Sequence, residues 1–105
     1  MSIVEFNIGS SLLDAVVLSI VSQDGTYGYK ITQDVRSIMN VSESTLYPVL
    51  RRLQKDGCLE TYDVEFAGRN RRYYKITAIG MIRLDDYRRE WRAFQKKIDA
   101  VLLGI

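Results

Sequence analysis

Apolar residues in the first third of the chain recur on a helical period. From Gly9 to Ser22 they fall at Leu12, Leu13, Val16, Val17, Ile20 and Val21. This doubled i, i+4 column predicts a helix with a broad buried face. Asp24-Gly25 supplies the turn that ends it. A second helix is expected over about Tyr29 to Met39, with Ile31, Val35 and Ile38 on one face. After a break at Asn40-Val41-Ser42, a third helix begins at Ser42 or Ser44, either of which can cap it by accepting a backbone N–H bond. Leu46, Val49, Leu50 and Leu53 form its inward stripe, and Asp56-Gly57 closes it. Tyr47, Arg51, Gln54 and Lys55 fall largely elsewhere and remain available to an outside partner. Pro48 sits early enough that its missing N–H costs at most about one backbone bond.

The period then shortens to two. Leu59 to Phe66 alternates as a strand, Ala67 to Arg71 reads as a turn, and Arg72 to Ile76 reads as the returning strand. Thr77 is placed to cap a final helix that runs nearly to the end of the chain. Within it, Leu84, Tyr87, Trp91, Phe94, Ile98, Val101 and Ile105 alternate spacings of three and four, which describes a coiled-coil seam. At about 1.5 Å per residue that stripe extends about 32 Å, longer than a small three-helix core covers. The expected partner for Leu84, Tyr87, Trp91, Phe94, Ile98 and Val101 is therefore a second copy of the chain. The fold class expected is mainly α with a small β-hairpin: a winged helix-turn-helix over 1–77, then a C-terminal dimerisation helix over 78–105.

Composition refines this picture in two places. The net charge of +2 argues only weakly for a nucleic-acid partner, but its distribution argues better. Between Phe66 and Ile76 stand Arg69, Arg71, Arg72 and Lys75 with no acidic residue, so the hairpin reads as an unopposed basic element. Histidine is absent and Cys58 is the single cysteine, which excludes an intramolecular disulfide, the common zinc sites and histidine-based triads. No nucleophile–base pair or phosphate-cradling glycine loop is present either, so no catalytic role, metal or cofactor is expected. The run Leu12 to Val21 is too short for a membrane span, contains Asp14 and lacks a basic flank. A cytoplasmic protein with no membrane partner is the expectation.

Taken in order along the chain, these residues resemble the PadR family of bacterial transcription regulators. The resemblance spans nearly the whole chain. It rests on Tyr27-Gly28-Tyr29, on Ser44-Thr45-Leu46-Tyr47-Pro48, on Arg51-Arg52-Leu53 with Gly57, and on Arg71-Arg72-Tyr73-Tyr74-Lys75-Ile76-Thr77. The single C-terminal helix is similar to the smaller, multidrug-sensing members. What the resemblance implies is a dimeric winged-helix repressor on a pseudo-palindromic operator in double-stranded DNA, released by a small molecule or another cue. Two departures bear on this. The absence of a second C-terminal helix means that the phenolic-acid sensing of the larger members does not carry over. The wing reads as short, with Gly68 as its single glycine.

Candidate DNA contacts follow from helix-turn-helix geometry, in which the start of the recognition helix meets base edges and basic flanks meet phosphates. Ser44 and Thr45 suit base edges or simple capping. Tyr47 suits DNA contact or packing beneath the wing. Arg51 and Lys55 share a face and suit phosphate or guanine, or plain solvation. Arg52, beside Leu53, has an alternative partner in an acidic residue of its own chain. On the wing, Arg69, Asn70, Arg71 and Arg72 suit phosphates or a narrow minor groove. Tyr29 and Lys30, with Tyr27, are placed for backbone contact or for packing.

Trp91 is the one tryptophan, on the seam beside Phe94. It is either interface core or one slab of a slot for a planar aromatic or cationic effector. In the drug-sensing proteins that the chain resembles, a tryptophan at the matching place forms such a slot with the partner's N-terminal helix. That implies Asp14 and Ala15 as lining residues, with Asp14 attracting cations. The competing reading of the whole chain is a winged-helix protein-interaction module without DNA binding.

Overall fold

The computed structural model describes residues 9–105. The element order is α1 (Ser10–Gln23), β1 (Thr26–Tyr27), α2 (Gly28–Arg36), α3 (Glu43–Lys55), β2 (Leu59–Phe66), β3 (Arg69–Ile76) and α4 (Ala78–Leu102). The four helices carry a three-stranded antiparallel sheet in the order β1-β3-β2. The fold is a winged helix with one long C-terminal helix.

The core is assembled largely from the stripes that the period-3.6 pattern marks, except that on α1 the unexpected Leu18 is fully buried while Leu12, Val16 and Ile20 are only half-buried. Leu13, Val17, Leu18 and Val21 of α1 meet Ile31 and Val35 of α2 and Leu46, Val49, Leu50 and Leu53 of α3. Leu59, Tyr74 and Leu84 close the cluster from the sheet and from α4. Ile38 departs from its expected place: α2 ends at Arg36 and Ile38 lies 66% exposed beyond it.

Three local features hold the wing and α4 on this core. Thr77 caps α4 by accepting from the Gly80 N–H at 3.0 Å, while its hydroxyl donates to the Gly57 carbonyl at 2.6 Å. Gly80 is buried where α4 crosses the start of β2, and a Cβ there would collide with the Cys58 carbonyl oxygen. The hairpin turns in two residues, Ala67 and Gly68, both with positive φ (52° and 79°), the signature of a turn whose twist matches the flanking strands.

That tight turn changes the expected wing. The loop does not extend to Arg71; β3 starts at Arg69, directly opposite Phe66, and pairing continues to Leu59 opposite Ile76. Each strand has eight residues, about 26 Å at about 3.3 Å per residue, so the wing is long rather than short. β1 adds a third strand that the two residues Thr26 and Tyr27 are too few to announce by periodicity.

Candidate nucleic-acid interface

The recognition helix α3 is capped by Ser42, whose Oγ accepts from the Thr45 N–H at 3.3 Å. The cap is therefore Ser42 and not Ser44. Hydroxyls of Ser44 and Thr45 lie 2.9 and 3.0 Å from the same oxygen, so the three form one exposed cluster on the first turn. Arg51 and Lys55 are exposed one turn apart, and among the described residues neither has an acidic partner. Gln54 is less free than expected, since its amide donates to the Thr61 hydroxyl of β2 at 3.4 Å.

Between α3, the start of α2 and β3 lies an open groove of about 690 Å3. Tyr47, Gly28, Tyr29, Asn70, Arg72 and Tyr74 line it together with Tyr27 and Arg71. Tyr47 is half-buried, with its ring near where a Cβ on Gly28 would sit, so it both packs and faces the opening. Tyr74 is buried against the core, and desolvation pushes its phenol above the ordinary value of 10.0.

The charges around this groove are more balanced than the linear sequence indicates. The hairpin register sets Asp63 opposite Arg72 and Glu65 opposite Asn70, and Arg72 Nε lies 3.6 Å from the Asp63 carboxylate. Arg72 and Lys75 are opposed across the ladder by Asp63 and Glu60 while Arg69 and Arg71 face Phe66 and Val64, a correction that follows from counting outward from a two-residue turn. On α2, Lys30 is tied to Asp34 at 2.6 Å, and the Tyr29 hydroxyl accepts from Gln33 at 3.0 Å. Exposed pairs of this kind are worth about 0–1 kcal/mol, so a phosphate can compete for either cation.

Strand pleating divides the wing residues. Asn70, Arg72 and Tyr74 point to the groove side, and Arg69, Arg71 and Tyr73 to the other. On that outer side Tyr27, Tyr73 and Tyr62 form a row across all three strands, with ring centroids 5.5 and 5.4 Å apart. The Arg71 guanidinium lies 4.2 Å from the Tyr27 ring centroid and 4.3 Å from that of Phe66. Tyr62 and Phe66 had no expected role; the alternation of Tyr62, Val64 and Phe66 with Asp63 and Glu65 is the signal that places them on one strand face.

Two expectations for the sensing region are overturned. Asp14 is 5% exposed and is held by Arg52 through paired hydrogen bonds of 2.6 and 2.9 Å, so its charge is matched, and it is not in the lining of the cavity beside Trp91. This is the intrachain alternative for Arg52, and the bond to Asp14 holds the guanidinium above its ordinary value. Leu84 is 1% exposed within the protomer's own core and offers no surface to a partner. Tyr87 is half-buried against that core, and burial raises its phenol above 10.0. Beyond it the seam emerges: Trp91, Phe94, Ile98 and Val101 are 41%, 49%, 41% and 86% exposed. A shallow cavity of about 170 Å3 between α1 and α4 is lined by Ala15, Leu12, Val16, Ser19, Leu84, Tyr87, Arg88 and Trp91. Phe94 is not in that lining; it leans on Trp91 with ring centroids 6.3 Å apart.

Residues 17–86, spanning the core of α1 through the base of α4, match the transcriptional regulator PadR-like family. The chain belongs to the PadR family. Among solved structures, a Streptococcus mutans UA159 protein is 38% identical, covering 96% of this chain and 95% of that one, with a TM-score of 0.89. A transcriptional regulator of Mycobacterium tuberculosis is 32% identical over 83 residues, 78% of each chain. Bacillus subtilis PadR, solved in complex with operator DNA, shares the fold at a TM-score of 0.64 and 21% identity, over 72% of this chain and 47% of that one. This PadR-family chain thus has the architecture of a transcription regulator, and among its described residues no helix is long and apolar enough to cross a membrane.

Proposed function

We propose that the protein is a homodimeric, sequence-specific DNA-binding repressor, with one operator half-site gripped by α3 and the wing of each protomer. The observation that carries this reading is the groove shared by two readers. Tyr47 of α3 and Asn70 and Arg72 of β3 line one opening, and Ser44, Thr45, Arg51 and Lys55 stand exposed along the same helix. Arg69, beside the turn, extends the reach of the wing toward phosphates. Tyr29 and Lys30, at the start of α2, add backbone contacts from the groove's edge. The division into a DNA-binding unit over 1–77 and a dimerisation helix over 78–105 is part of the proposal, with the base of α4 serving the first unit.

Pairing is proposed along the exposed apolar length of α4, from Trp91 through Val101, which a single small domain does not ordinarily leave in water. The cavity at Ala15 and Trp91 is about 170 Å3, below the roughly 300–1,000 Å3 of sites for drug-sized ligands. Joined to its copy across the seam it forms a slot for a planar aromatic effector, with Trp91 as one wall and Phe94 behind it. Attraction of cations by Asp14 is no part of this reading.

The test is a salt titration of binding to duplex DNA from upstream of the protein's own gene, beside a scrambled duplex. The expected result is preference for the first, with a log–log salt slope of about −0.9 per phosphate neutralised. Binding that ignores both sequence and salt overturns the proposal. For the effector, quenching of Trp91 by planar aromatic dyes is expected, and no response across a broad dye panel leaves Trp91 as interface core alone.

A further inference from the structure

The outer face of the wing carries a connected set of aromatic and cationic side chains. Its arginine at position 71 is only half exposed, and its guanidinium is caught between two rings, one from β1 and one from the far end of β2. Tyr27, in turn, is packed edge-on against Tyr73, and Tyr73 is stacked on Tyr62. A chain of contacts therefore runs from Phe66, next to the turn, through Arg71 to the strand that leads directly into α2. A two-stranded hairpin about 26 Å long is marginal in water by itself, and β1 braces only its base, at Tyr73 and Tyr74.

We infer that Arg71 is a positioning residue, a strut that joins the wing's tip to β1 and sets the wing's angle to α3, rather than a ligand of DNA. Asn70 and Arg72, one step away in the pleat, face the groove, and Arg71 holds the strand that presents them. This rests on the proposed DNA binding, and the experiment separates the two.

Arg71→Ala, Phe66→Ala and the double variant are compared for affinity to the duplex from upstream of the protein's own gene, and for urea unfolding without DNA. Phe66 carries no charge and lies outside the groove, so a DNA-contact role for Arg71 predicts no effect of Phe66→Ala. The strut predicts that each single variant loses about five- to tenfold in affinity and that the double loses no more than either. It also predicts coupling between the two sites in unfolding. Unchanged affinity in either single variant, additive losses, or absent coupling in unfolding overturns it. If the wild-type protein binds neither duplex, the proposed function fails and the unfolding cycle alone decides the strut.

Discussion

The two halves of α4 carry one heptad pattern and meet opposite fates. Leu84 and Tyr87 of the first half are drawn into the protomer's own core by α1. Trp91, Phe94, Ile98 and Val101 of the second half continue the same spacing past the end of that core and stay in solvent. A period of three and four residues therefore reports that a face is to be covered, and says nothing about what covers it. The covering agent is decided by reach: α1 extends far enough to seal the first two turns of the stripe and no farther.

That contrast can be broken by mutation. The largest effect is expected from Leu84→Ala, which opens a cavity inside the protomer and should cost about 2–5 kcal/mol in urea unfolding. A loss below about 0.5 kcal/mol would place Leu84 with the exposed half. Gly80→Ala should come next, at about 1–3 kcal/mol, because the added Cβ collides with the Cys58 carbonyl where helix and strand cross. Ile98→Asp should change assembly instead of the protomer's core. Its mass by light scattering is expected to halve to that of a single chain, while the wild type remains paired and its Tm rises with concentration. An unchanged mass would deny the exposed half any role in pairing.

The smallest effect concerns pH. Burial raises Cys58 above its ordinary 9.0 and Tyr74 and Tyr87 above 10.0. Groups with raised values contribute stability that is complete below their unfolded pKa and is lost as pH climbs through the folded one. Stability should thus fall above about pH 9, and more gently in Tyr87→Phe. A Tyr87→Phe curve that overlays the wild type would remove the first half's tyrosine from this account.

Legibility differed between the recognition helix and the wing for a physical reason. The stripe Leu46, Val49, Leu50, Leu53 places α3 and its outward face without ambiguity, because helical periodicity is local. The wing depends on register. With the turn read as five residues, Arg69, Asn70 and Arg71 belonged to a tip; with two, they belong to a strand and alternate between faces. One short turn thus moved Asp63 against Arg72 and Arg71 between two rings. Asp14 illustrates the same limit. Its partner lies 38 positions away, and nothing local in either helix announces the pair.

Periodicity, the cap at Thr77 and the spacing of the motifs were enough to establish the helices, the hairpin and the family, because each arises from residues within a turn or two of one another. The pairing of Asp14 with Arg52, the burial of Leu84 and the capture of Arg71 were settled only when distant elements met. Those outcomes depend on which surfaces come within a few ångströms after folding, a quantity that no stretch of contiguous residues encodes alone.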